Sequence, residues 1–172
     1  SKSLFFVKKI HLKGFRVMGK REEIANYYYE ADELMFMDVF VSLYGRNSLH
    51  NIIFYTAKGI LIPLPVDGGL RGLKDIKSVL RARADKVCLN TVAIKNPYIT
   101  KQASQRDGSS TMAVVIEAIK GSNQNYLAYT GNNREYTGIN VLQWTRQERE
   151  LVAGEIMITS VDKEGTVGGS NI

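Results

Sequence analysis

Carboxylates, amides and hydroxyls stand at the ends of short apolar runs in this sequence. The stretch AGEIMITSVDKEGT (153–166) shows the arrangement, with Glu155 opening the run and Asp162 closing it ahead of the Gly165-Thr166 turn. The same order recurs in ADELMFMD (31–38) and ADKVCLNT (84–91): a small residue, Asp or Gly, a charge, an apolar run, then a polar end. Carboxylates gathered at one level can move protons in a reaction. Glycine pairs, as in VDGGLRG (66–72) and DKEGTVGGSN (162–171), expose backbone N–H groups with no side chain in the way, which suits a phosphate. The Asn90 amide and Thr91 hydroxyl in LNT add side-chain partners of the same kind. Taken singly, a strand-end acid equally caps the next helix, and a Gly-Gly pair equally marks a plain turn. Repetition at the same relative place is what favours chemistry.

The elements that must position these groups alternate. ADELMFMDVF (31–40), GILIPLPVDGG (59–69), ADKVCLNT (84–91), TMAVVIEA (111–118) and the run after Glu155 read as strands two to six, with helical segments around 46–57, 72–83 and 141–152. In GLKDIKSVLRAR, Leu73, Ile76, Val79 and Leu80 form one apolar stripe while Lys74, Lys77 and Arg81 turn away, the pattern of a helix covering one face of a sheet. Apolar strands separated by helices imply a parallel sheet. In a barrel of such units all strand ends share one face, where active sites sit, and all strand starts share the other. The expected top ring is Asp38, Asp67, Asn90, Thr91, Glu117 and Asp162; the expected bottom ring is Glu33, Lys86 and Glu155.

A chain of 172 residues with 44% hydrophobic content fills one core, so residues 1–172 read as one domain or part of one, and with the strand pattern above as a single, partial βα-barrel domain. The net charge of +6 is spread along the chain; it favours anionic ligands and marks no nucleic-acid face. The lone cysteine, Cys88, lies in an apolar run and reads as a buried, inert thiol in a reducing compartment. The opening SKSLFFVKKI has too short an apolar run for a signal or membrane span, so a cytoplasmic protein is expected.

ADELMFMD, DGGLRGLKDIKSVLRARADKVCLNTVAIKNP, GSSTMAVVIEAIK and TGINVLQWTRQERELVAGEIMITSVDKEGT together resemble the cyclase subunit of imidazole glycerol phosphate synthase, in that family's order, from about residue 8 onward. The resemblance implies an α/β fold of the (βα)8 TIM-barrel type, with about six βα units in this chain. It implies an enzyme of histidine biosynthesis that takes ammonia from a glutaminase subunit. The ammonia converts a ribulosyl-formimino aminoimidazole carboxamide ribonucleotide to imidazole glycerol phosphate, with no metal or organic cofactor, no nucleic acid polymer and no membrane involved. Glu117 falls on the family's strand-five acid, usually Asp, and His11 falls on its strand-one Asp; these are the expected catalytic pair. Gly68, Gly69, Asn90, Thr91, Asp162, Gly165 and Thr166 fall on substrate and phosphate positions. Glu33, Lys86 and Glu155 match three members of a four-charge ammonia gate, whose fourth position, Arg in the family, is Phe5 here.

Asp67 replaces the first of three family glycines, and no long loop fits between strands one and two. Six strands are counted where the family has eight, so a barrel cut short or completed by another chain is expected. Two other readings follow from these departures: a paralogue amidating a bacterial surface sugar, or a non-catalytic barrel fragment that binds phosphate or a glutaminase.

Overall fold

The computed structural model describes residues 32–33, 35–37, 46–59, 61–121, 125–131 and 135–163. His11, Asp38, Gly165 and Thr166, named above as site residues or strand ends, lie outside these, as do Phe5 and the first predicted strand. Contacts divide the chain into two compact units, residues up to 69 with 74–87, and residues 70–73 with 88 onward.

In the first unit, β1 (Phe36–Met37) pairs in parallel with β2 (Pro65–Asp67), placing Phe36 opposite Val66 and Met37 opposite Asp67. Helix α1 (Arg46–Gly59) connects them, a βαβ unit as the alternating pattern predicts. The predicted strand 59–69 is trimmed to three residues. Leu61 is exposed, and prolines at 63 and 65 remove backbone donors that a longer ladder would need.

Helix α2 (Leu73–Arg81) buries Ile76 and Val79, two members of the predicted stripe, while Asp75 in its first turn and Arg81 in its last complement the helix dipole. The chain then turns through Arg83 at φ 76°, and the Ala84 N–H bonds the Val79 carbonyl. Asp85 locks the next strand in place. Its Oδ2 accepts from the Leu64 N–H at 2.8 Å, and its own N–H donates to the Leu64 carbonyl at 3.2 Å. Strand β3 (Lys86–Leu89) follows, starting in the first unit and ending in the second, with Cys88 buried in it as expected.

The second unit continues with α3 (Thr91–Lys95), α4 (Tyr98–Asp107) and a 3-10 turn (Ser109–Thr111) before β4 (Met112–Lys120). Every residue of β4 from Met112 to Ala118 is buried. A doubly buried strand must satisfy its backbone groups on both edges. One edge pairs in parallel with β7 (Glu155–Ser160), from Ala113 opposite Glu155 to Ala118 opposite Ser160. Part of the other edge, Glu117 to Lys120, pairs antiparallel with β5 (Tyr126–Thr130), which in turn pairs antiparallel with β6 (Glu135–Asn140). This hairpin corrects the expectation of strands separated only by helices. It is inserted between β4 and the crossover helix α5 (Val141–Glu150).

The β5–β6 register shifts between Leu127 and Tyr129, where the Thr137 hydroxyl donates to the Ala128 carbonyl at 2.6 Å. Asn140 then caps α5, its Oδ1 accepting from the Leu142 and Gln143 N–H groups. After α5 the chain enters β7 through Gly154, whose N–H donates to the Met112 carbonyl at 3.1 Å. A Cβ at Gly154 would lie 2.0 Å from the Ser109 carbonyl oxygen, so this approach admits only glycine. Gly154→Ala is expected to cost about 1–3 kcal/mol, read as a lower midpoint in urea denaturation without a change in slope.

Candidate active site

In the second unit Glu117 stands near the polar end of β4. It is the only ionisable side chain among the buried residues of β4, and it is 5% exposed. In register it lies between Thr159 of β7 and Tyr129 of β5, so all three side chains stand on the same side of the sheet. The Thr159 hydroxyl is buried and has no hydrogen-bond partner. Tyr129 faces Tyr136 across β5–β6, with ring centroids 5.6 Å apart.

Asn90 and Thr91 sit where β3 passes into α3. The Asn90 carbonyl accepts from the Ala93 and Ile94 N–H groups, while its side-chain Oδ1 is buried without a partner. The Thr91 Oγ1 accepts from the Gly131 N–H at 3.3 Å, which ties the hairpin turn to the end of β3. That leaves the Thr91 hydroxyl proton available for an acceptor. A cavity of about 390 Å³ opens beside Thr91, its wall including Arg71, Lys95, Asn96 and Gln102 over apolar Leu70 and Ile99. Two cations, an amide-rich rim and an apolar floor suit an anionic organic ligand.

Asp162 stands just beyond β7, and its Oδ2 accepts from the Lys120 N–H at 2.9 Å, fastening the end of β7 to the end of β4. Glu155 starts the same strand opposite Ala113, so the two acids bracketing this run do stand at opposite ends of one strand.

In the first unit, Gly68 at φ 117° and Gly69 at φ 61° turn the chain after β2, in a backbone region that only glycine adopts readily. Asp67 ends β2 half-buried. At the opposite, starting end of a strand, Lys86 Nζ binds Glu33 Oε1 at 2.6 Å, so two of the expected gate residues form an ion pair. Both side chains are mostly buried, and Glu33 Oε2 is buried with no hydrogen-bond partner. Among the described residues no group of three or more His, Cys, Asp or Glu is arranged to hold a metal ion, and no helix is long and apolar enough to cross a membrane.

The family model described as histidine biosynthesis protein matches residues 11–172. Among curated proteins, the chain is 44% identical over 168 residues to the imidazole glycerol phosphate synthase subunit HisF of Legionella pneumophila, covering 96% of this chain and 79% of that one. It is 38% identical to the same subunit of an Exiguobacterium species and 39% identical to that of Prochlorococcus marinus, in each case covering 96% of this chain and 66% of the relative. The chain thus spans just under two thirds of the length of these last two relatives.

One titratable group escaped the sequence reading. Glu148 lies on α5 at positions i+4 from Trp144 and i+7 from Val141, the buried stripe of that helix, and is 0% exposed. The spacing was the available signal. Neither carboxylate oxygen, nor Trp144 Nε1, nor the Thr100 hydroxyl on α4 has a hydrogen-bond partner of ordinary geometry. Burial pushes the Glu148 carboxyl up from its usual 4.5 to about 7, with the Thr100 hydroxyl pulling the other way. The folded state therefore holds this proton over a range where the unfolded chain releases it. The stability so gained is full below about pH 4.5, falls as pH rises to about 7, and is flat above. Relative to Glu148→Gln, the wild-type chain is expected to lose about 2–3 kcal/mol of unfolding free energy between pH 5 and pH 8, measured by urea denaturation of both.

Proposed function

Since the chain belongs to the histidine biosynthesis protein family, we propose that it works as the cyclase subunit of an imidazole glycerol phosphate synthase. In this reading it takes ammonia from a glutaminase subunit in the cytoplasm and converts the ribulosyl-formimino aminoimidazole carboxamide ribonucleotide to imidazole glycerol phosphate. The observation that carries it is the buried carboxylate of Glu117, held at one level with Thr159 and Tyr129 near the polar end of β4.

A carboxylate in that setting transfers protons while substrate amine and carbonyl groups exchange partners, which is the work of a general acid and base. His11 is the second proton-transfer group, suited to it by a side chain that changes charge near neutral pH. By resemblance, phosphate and substrate contacts are assigned to Asn90, Thr91, Asp162, Gly165 and Thr166, and separately to Gly68 and Gly69. The cations Arg71 and Lys95 beside Thr91 support an anion in that region.

By resemblance, Glu33, Lys86 and Glu155 are the residues assigned to the ammonia entrance. A paired charge tolerates desolvation where a lone one would not. The second oxygen of Glu33, buried without a partner, supplies an acceptor for a small N–H donor such as ammonia.

With an ammonium salt as nitrogen source, Glu117→Gln is expected to lower turnover of the ribonucleotide by about 10²–10⁴-fold; equal rates for the two proteins would overturn the assignment. Lys86→Ala is expected to lower glutamine-driven turnover in the presence of the glutaminase and to leave the ammonium-driven rate unchanged. Equal losses in both assays would show that Lys86 acts on folding rather than on ammonia passage.

A further inference from the structure

The hairpin between β4 and α5 carries an aromatic pair that the roles above leave unused. Thr159, Glu117, Tyr129 and Tyr136 form one lateral row across β7, β4, β5 and β6, each opposite the next in register. Side chains opposite one another across a ladder share a face, so the two rings extend the face that bears the Glu117 carboxylate. Burial falls along the row. Glu117 is 5% exposed, Tyr129 is half-buried, and Tyr136 is 62% exposed. The rings meet at a tilt of 56°, and the exposure of Tyr136 leaves ring surface open to a planar ligand.

The hairpin is also fixed in place relative to a phosphate position. Gly131, at its turn, donates to Thr91 Oγ1, and Thr91 lines the cavity that carries Arg71 and Lys95. Gly131 is two positions beyond Tyr129, roughly 7 Å along the chain. A phosphate held at Thr91 therefore has the aromatic pair within the reach of a ribose, on the way to Glu117.

We infer that Tyr129 and Tyr136 form a stacking shelf for the aminoimidazole carboxamide ring of the substrate, with Tyr136 as the exposed face that the ring covers. This rests on the ribonucleotide reading above and adds to it which part of the substrate the hairpin recognises. Stacking is suited to the task because every heteroaromatic ring offers a π-face, so the shelf binds the ring without needing its hydrogen-bonding edge. It also leaves the carboxamide and amine of the ring free to face Glu117 and the Thr159 hydroxyl. The row thus graduates from a ring-binding end to a proton-transfer end.

The test is calorimetric titration of the wild-type chain, Tyr136→Ala and Tyr136→Phe with two probes, aminoimidazole carboxamide ribonucleotide and ribulose 5-phosphate, which lacks the ring. Tyr136 is exposed, so its truncation leaves the core intact. Tyr136→Ala is expected to weaken the ribonucleotide by roughly five- to a hundredfold, to leave ribulose 5-phosphate unchanged, and to be rescued by Tyr136→Phe. Unchanged ribonucleotide affinity in Tyr136→Ala, equal weakening of both probes, or a loss in Tyr136→Phe as large as in Tyr136→Ala overturns the shelf and leaves the ribonucleotide reading standing. Failure of the wild-type chain to bind either probe overturns both.

Discussion

The second unit depends on β4 being buried on both faces while carrying one ionisable group. From Met112 to Ala118 no side chain reaches water appreciably, so each backbone group must find its partner in a neighbouring strand. β7 meets that demand along one edge from Ala113 to Ala118 and β5 meets it on the other from Glu117 onward, and their registers decide what stands beside Glu117. A shift of one residue in either ladder would turn the neighbouring side chains to the other face and leave the carboxylate among different groups. The Lys120 N–H bond to Asp162 and the Gly154 N–H bond to Met112 pin the two ends of the β4–β7 pairing, and the hairpin turn is pinned at Thr91. Register, more than any single contact, is what the local architecture protects.

Much of this was legible in the sequence because it follows from periodicity. The stripe Leu73, Ile76, Val79 and Leu80 marked α2, the run TMAVVIEA marked β4, and the polar residues flanking the run after Glu155 marked the two ends of β7. The strand repeat set Glu33 and Lys86 in one ring and the resemblance set them in one gate, but no spacing rule joins two positions 53 residues apart into an ion pair. The β5–β6 hairpin was missed although NYLAYT and EYTGIN are rich in β-forming residues on either side of the sequence Gly-Asn-Asn. A strict strand-helix alternation absorbed them into a connection. Likewise the prolines in GILIPLPVDGG spoke for a shorter strand than its apolar content implied.

Two buried carboxylates solve the problem of charge away from water in different ways. Glu33 keeps company with Lys86, at 2.6 Å, so one oxygen is paired while the other is left without a partner. Glu148 has no cation beside it among the described residues and holds on to its proton up to about pH 7 instead. The first arrangement preserves a charge at a strand start. The second preserves a helix stripe, at the expense of a group that is comfortable only when neutral.

The hairpin also bears on how the chain finds its fold. Lys120 and Asp162 meet across 42 residues, and a parallel pairing of that span is slow to nucleate because the whole loop must close before any contact forms. The segment that spans the gap is far from a featureless coil. A hairpin of consecutive strands and a capped helix form from neighbouring residues on their own short timescales. Once folded they shorten the flexible length that remains to be closed. A connection that at first reads as an interruption of the βα pattern thus serves as a preassembled spacer, delivering β7 to the edge of β4.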